Sequence, residues 1–171
     1  GEVFEAAGGT AVNIPGGEIF TSLQTGVIDA AEWVGPFNDL VLGFHQVAKY
    51  YYYPGWQDPG PNLELIINQA AFNELPKDLQ AMLRNASLAV NNDVLSEYTA
   101  RNNQALQELV EVHKVQVRRL PDDVLAALKV ISDEKVQALV GDDPLNQRIF
   151  DSYQAYRRSV MDYNELSERA F

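Results

Sequence analysis

The first third of the chain alternates short apolar runs with turn residues. Glu2–Ala7 reads as a helix end, stopped by Gly8-Gly9. Thr10–Ile14 is apolar and partly β-branched and predicts a strand. Pro15-Gly16-Gly17 turns, and Glu18–Gln24 predicts a helix closed by Gly26. Val27–Trp33 predicts another strand. Leu40, Val41, Phe44, Val47 and Ala48 fall at helical spacing and predict a helix over Phe37–Lys49. Tyr50–Tyr53 and Leu63–Asn68 predict two further strands, split by Pro54-Gly55 and by Asp58-Pro59-Gly60-Pro61. Such alternation implies an α/β unit with a partly parallel sheet.

From Leu75-Pro76 the texture changes. Leu79, Met82, Leu83, Ala86, Val90, Val94, Ala105, Leu106, Leu109 and Val110 keep a helical stripe to about His113. A helix of that length spans about 50 Å, more than a compact domain of this size, so it should bridge two lobes or kink. Val115–Val117 predicts a short strand. Pro121-Asp122-Asp123 opens a helix to about Val140, and Gly141-Asp142-Asp143-Pro144 separates a last helix through Ala170. Three parts result: an α/β segment over 1–75, a long helix over 76–113, and a strand with C-terminal helices over 114–171.

The 171 residues suit one ordinary domain, and 46% hydrophobic with 22% charged residues is a globular balance. No apolar run approaches the roughly 20 residues that span a bilayer. Gly1 opens into Glu2-Val3-Phe4-Glu5 with no leader pattern and no initiator Met, so the chain reads as a processed or truncated piece. The absence of cysteine excludes disulfides, thiolate zinc sites and thiol catalysis. A net charge of −11 argues against nucleic acid. Its distribution says more. Residues 1–75 hold nine acids against one base, Lys49, and no arginine, whereas the remainder mixes fifteen acids with twelve bases. The first part welcomes a cation and has little with which to grip an anion.

Within that part, Glu32-Trp33 stands out. An apolar run ends in a carboxylate and an indole, and Gly35-Pro36 then breaks it. Burying a carboxylate is costly unless a cation or several donors satisfy it, and strand ends are where open α/β sheets place ligands. His45 and His113, the only histidines, fall in predicted helices and read as surface or cap residues; no two-histidine zinc spacing is available. Gly16-Gly17 could offer free amides to an anion or could simply turn. Glu32 and Asp39 could form the acid/base couple of a hydrolase, although Asp39 also suits the dipole at a helix start. Tyr50–Tyr53 would send two rings to each face of a strand. Asp58, on a loop fixed by Pro and Gly, could present a carboxylate to a ligand or close an Asx-turn.

Three stretches together resemble one family: Asn13-Ile-Pro-Gly-Gly-Glu-Ile-Phe-Thr-Ser-Leu-Gln-Thr-Gly-Val-Ile-Asp-Ala30, the pair Glu32-Trp33, and Asn68-Gln-Ala-Ala-Phe-Asn-Glu-Leu-Pro76 before a long helix. They resemble the solute-binding proteins of tripartite ATP-independent periplasmic (TRAP) transporters. Trp33 and Tyr51-Tyr-Tyr-Pro-Gly-Trp56 point to the branch that binds 2-oxo acids and lactate. The resemblance implies the C-terminal half of a two-lobed, periplasmic-binding-protein-like α/β fold. That half would hold a mixed sheet with flanking helices, a long lobe-spanning helix and C-terminal helices.

By that resemblance Glu32 would ligate Na⁺ or Ca²⁺ through its side chain and Trp33 through its backbone carbonyl. The cation would bridge to the carboxylate of a small organic acid such as pyruvate or lactate. Trp33 would also wall the pocket, and Asp58 would contact the substrate. The family's carboxylate-gripping arginine would lie just before Gly1. A periplasmic receptor delivering its ligand to membrane permease subunits follows, with the region 143–171 exchanged between protomers of a homodimer or domain-swapped oligomer. The competing readings are a self-associating helical fragment without a ligand and a carboxylate-dependent hydrolase.

Overall fold

The computed structural model describes residues 1–58, Gly60, 63–167 and Arg169. Pro59 and Pro61 of the predicted turn, and the predicted chain end at Ala170 and Phe171, lie outside the described residues. The helices are α1 (Glu2–Ala6), α2 (Gly16–Thr25), α3 (Pro36–Val41), α4 (Gln69–Glu74), α5 (Lys77–Glu111), α6 (Asp122–Val140) and α7 (Pro144–Leu166). A 3-10 turn occupies Phe44–Gln46, and the strands are β1 (Tyr50–Tyr53) and β2 (Gln116–Arg119). Two compact units form: one from Asn13–Leu120, the other from Gly1–Val12 with Pro121–Phe171.

In the larger unit β1 and β2 pair in parallel, Tyr50 opposite Gln116 through Tyr53 opposite Arg119. The ladder extends at both ends, with Gln116 N donating to Lys49 O at 2.9 Å and Leu120 N to Tyr53 O at 2.8 Å. The Arg118 guanidinium lies 4.0 Å over the Tyr50 ring, a cation–π contact across the pair.

Among the described residues this pair is the whole sheet. Thr10–Ile14, Val27–Trp33 and Leu63–Asn68 therefore do not form the strands their patterns predict. A strand is defined by a ladder, and these segments have no neighbour to pair with. Leu63 and Ile66 remain 84% and 88% exposed, apolar side chains without a sheet or helix to cover them. The predicted helix over Phe37–Lys49 also divides. Gly43 takes φ +75°, so α3 stops and the chain restarts as the 3-10 turn.

The long helix forms as read, over 35 residues. Its start is stapled to α4 by Gln80, whose buried amide donates to Phe72 O at 3.1 Å and Leu75 O at 2.9 Å. Asn68 caps α4 through Ala70 N and Ala71 N. Toward its other end α5 buries Ala105 and Leu109. Beyond it Lys114 takes φ 58°, and the buried Val115 donates its N–H back to Leu109 O at 2.9 Å, directing the chain into β2.

In the smaller unit α1 packs on α6, and Asp143 caps α7 by accepting from Leu145 N at 2.8 Å and Asn146 N at 3.1 Å. Leu128 and Val140 are buried there. Leu145, Ile149, Tyr153, Tyr156 and Tyr163 form an exposed stripe along α7.

Candidate functional site

Glycine at the first position of α2 makes room for an indole. A Cβ on Gly16 would lie 2.4 Å from the Trp33 ring, so the ring occupies the space a side chain would need. Trp33 is 38% exposed, its remaining surface turned to solvent. Gly16 thus serves as a seat for Trp33, a use that neither reading of Gly16-Gly17 from sequence had offered. Gly26, at φ 73°, ends α2, and Val27 N donates to Ser22 O at 2.9 Å. The chain then runs irregularly through Glu32 and Trp33 to Gly35 and Pro36, where α3 begins.

α3 holds the far side of that segment. Asn102 of α5 accepts the Phe37 N–H at 3.0 Å and lies against Gly35. The Arg101 guanidinium sits 4.9 Å over the Phe37 ring, whose edge meets Tyr98 with centroids 6.3 Å apart. The Gly-Pro break is therefore pinned by the long helix.

Two other carboxylates act on Glu32 through their charge. The Glu32 carboxyl is raised above its ordinary value by partial burial first, then by the charges of Asp58 and Asp39, with a hydrogen bond from Gln57 drawing it back. The sequence-predicted pair Glu32 and Asp58, 26 positions apart, is thus brought within electrostatic reach by the loop that follows β1. No cationic side chain is among the groups that shift Glu32.

Asp39 lies in the first turn of α3, where its charge suits the helix dipole, and it is also buried. Its Oδ2 accepts from Tyr51 Oη at 2.5 Å, while Oδ1 has no hydrogen-bond partner of good geometry. Burial pushes its carboxyl up, and Tyr51 with the amides of Val34 and Gly35 opposes that. The Tyr51 hydroxyl is raised in turn by its own burial and by Asp39.

The chemistry suits a hard cation. Glu32 and Asp58 offer oxygen, the backbone carbonyls beside them offer more, and cysteine is absent. Among the described residues no three His, Cys, Asp or Glu side chains come together closely enough to chelate an ion alone. Backbone oxygens, water or a ligand carboxylate would have to complete the shell.

The histidines depart from their sequence reading. His45 sits in the 3-10 turn and His113 just beyond α5, and their rings stack with centroids 3.8 Å apart and a 31° tilt. Glu108 approaches His113 Nε2 at 3.5 Å, and His45 Nδ1 is buried without a partner. Burial, then the neighbouring His113, lowers the His45 pKa, with Glu108 opposing. Sequence reading also missed Tyr51, Gln57 and Asn102. Nothing in their local pattern marks a hydroxyl or amide whose partner lies on another element.

Comparison with known proteins bears on all of this. Residues 1–142 match the sequence pattern of bacterial extracellular solute-binding protein family 7. The chain is 33% identical over its full 171 residues to the monocarboxylate 2-oxoacid-binding periplasmic protein of Nostoc sp., covering 47% of that protein. It superposes with a TM-score of 0.94 on a TRAP periplasmic solute-binding protein from Colwellia psychrerythraea with bound calcium and pyruvate, at 39% identity over 99% of this chain and 52% of that one. A second such protein, from Pseudoalteromonas atlantica with bound sodium and pyruvate, gives 0.91 at 36% identity over 99% and 52%. The chain spans about half the length of these relatives. The fold, mostly helical with a small parallel sheet, is that part of the two-lobed architecture they share.

Proposed function

The chain belongs to bacterial extracellular solute-binding protein family 7, and from that premise we propose that it forms the cation-bearing part of a periplasmic TRAP receptor for a small 2-oxo or 2-hydroxy monocarboxylate. Two similar structures with bound pyruvate, one holding calcium and the other sodium, carry this reading, and the mutual influence of the Glu32 and Asp58 charges agrees with it.

In this reading the Glu32 carboxylate and the Trp33 carbonyl hold the cation. The ion supplies the positive charge that draws the acid's carboxylate to an otherwise acidic surface. Trp33, seated on Gly16, presents its indole as an apolar wall beside the ligand and keeps water from one side of it. Asp58 contacts the ligand from the loop after β1, accepting from the hydroxyl where the acid is a 2-hydroxy acid. Closure of two lobes over the acid and delivery to membrane permease subunits complete the receptor's role. Asp39 is engaged by Tyr51 and buried, which leaves it poorly placed for the acid/base couple of a hydrolase.

Calorimetry tests the reading. At the full length of its relatives the receptor should give Ca²⁺-dependent or Na⁺-dependent heat that disappears in Glu32→Ala, pyruvate should bind only when the cation is present, and the 171 residues alone should bind more weakly or undetectably. Pyruvate binding indifferent to both the cation and Glu32, or turnover of an ester or glycoside, overturns it.

A further inference from the structure

The stacked histidines have no task in the receptor reading. Their ring centroids lie 3.8 Å apart where two segments enter the sheet. His45 stands in the 3-10 turn, four positions before Lys49, and His113 stands three positions before Gln116. Gln116 N donates to Lys49 O at 2.9 Å, the first rung of the parallel ladder. The stack and that rung thus close a small frame whose sides are two short chain segments. One side is braced by Ala48 N donating to Phe44 O at 2.8 Å, the other by Val115 N donating to Leu109 O at 2.9 Å.

Only a neutral His45 fits this frame. An imidazolium carries a proton on both ring nitrogens. His45 Nδ1 is buried without a partner, so an N–H there would have no acceptor. Glu108 approaches His113 Nε2 at 3.5 Å, which gives one proton on the pair a counter-ion. A second proton would set two like charges ring against ring, with that one carboxylate to answer both. The charged groups of the adjoining segments are otherwise engaged or exposed. Asp39 of α3 is held by Tyr51, Arg118 of β2 lies over Tyr50, Lys114 donates to Glu111 O, and Lys49 and Glu111 are exposed.

We infer that the His45–His113 stack is a pH-operated latch on the entry to the parallel ladder: a second proton expels the His45 ring, and the 3-10 turn and the Lys49–Gln116 rung open while the long helix stays formed. The latch stands apart from the cation site and does not depend on it. It holds β1 at the end opposite the loop that bears Gln57 and Asp58.

Amide hydrogen exchange on the full chain, read residue by residue by NMR and corrected for its intrinsic pH dependence, tests the latch. The protection factor of the Gln116 amide should fall about tenfold between about pH 7.5 and about pH 5, while amides in the middle of α5 keep theirs. The window follows from the sign of the shift. Burial, then His113, lowers the His45 pKa, so the latch is complete above 6.5 and is lost as pH falls from there toward the folded value. His45→Phe keeps on His113 a ring that cannot charge, and should leave Gln116 protected throughout. Glu108→Gln removes the counter-ion and should move the loss to lower pH. Should His45→Phe fail to fold, His113→Phe removes the opposing charge and should shrink the loss. An undiminished fall at Gln116 in either phenylalanine variant, or protection lost equally across α5, overturns the proposal.

Discussion

Gly16 is glycine because of what stands over it. Its backbone is ordinary helix, so alanine there is favourable for the helix by up to about 1 kcal/mol. The methyl, however, would meet the Trp33 ring at 2.4 Å and must displace it. Gly16→Ala should leave the thermal midpoint close to its original value and weaken cation-dependent pyruvate binding by about tenfold, equivalent to about 1.4 kcal/mol. Melting and calorimetry on the same sample check it; unchanged binding would mean that Trp33's seat does not matter to the ligand. The stacked histidines give a second residue-scale outcome. His45 has its pKa lowered, by burial first and His113 second, so the unfolded chain takes up the proton more readily. Its contribution to stability is complete above the ordinary value of 6.5 and is lost as pH falls from there toward the folded value. The melting temperature should fall across that window, and His45→Gln should flatten the fall. Sequence alone singled out Glu32, Trp33 and Asp58 as candidates, because their chemistry is odd for their setting. It could not expose the Asp39–Tyr51 bond, whose partners stand on different elements 12 positions apart.

At the scale of elements, α3 depends on α5. The Phe37 N–H is one of the orphan donors of the first helical turn, and Pro36 and Gly35 offer no side chain to satisfy it. Asn102 supplies that acceptor from the long helix. Asn102→Ala should cost about 1 kcal/mol, as loss of a helix cap does, and a urea titration would report it as a lower midpoint at unchanged slope. Because the same segment carries Trp33, cation binding should weaken in parallel. The long helix, β1 and α6 were legible to within a residue or two, since helical periodicity and aromatic runs are local signals. Thr10–Ile14, Val27–Trp33 and Leu63–Asn68 were misread as strands because alternation shows only a wish to be covered. A strand also needs a neighbour, and no local pattern reveals whether one exists. Gly43 escaped notice inside an otherwise helical stretch, although its positive φ ends α3.

For the whole molecule the relevant quantity is apolar surface left open. In the smaller unit the stripe Leu145, Ile149, Tyr153, Tyr156 and Tyr163 on α7 advances by three, four or seven residues at a time, the spacing that seats one helix on another. Beside it an open groove is lined by Val136, Leu139, Ile149 and Tyr153. The family resemblance leads to the expectation of a homodimer with exchange of the region 143–171, and this is the surface on which it would form. Ile149→Glu should shift the chain toward monomer in analytical ultracentrifugation without altering its helical content. A monomer at all concentrations in the unaltered chain would overturn that expectation. In the larger unit, the parallel ladder joins Tyr50 to Gln116 across 66 positions of sequence, most of them taken up by one helix. Closing so long a loop must precede any hydrogen bond that rewards it. The two strands can therefore meet only after α5 has been built and turned back at Lys114, which makes their pairing a late event in folding. The tyrosine strand that carries Tyr51 and precedes Asp58 would then be among the last parts of the unit to acquire its native form, and its amides among the first to exchange with solvent.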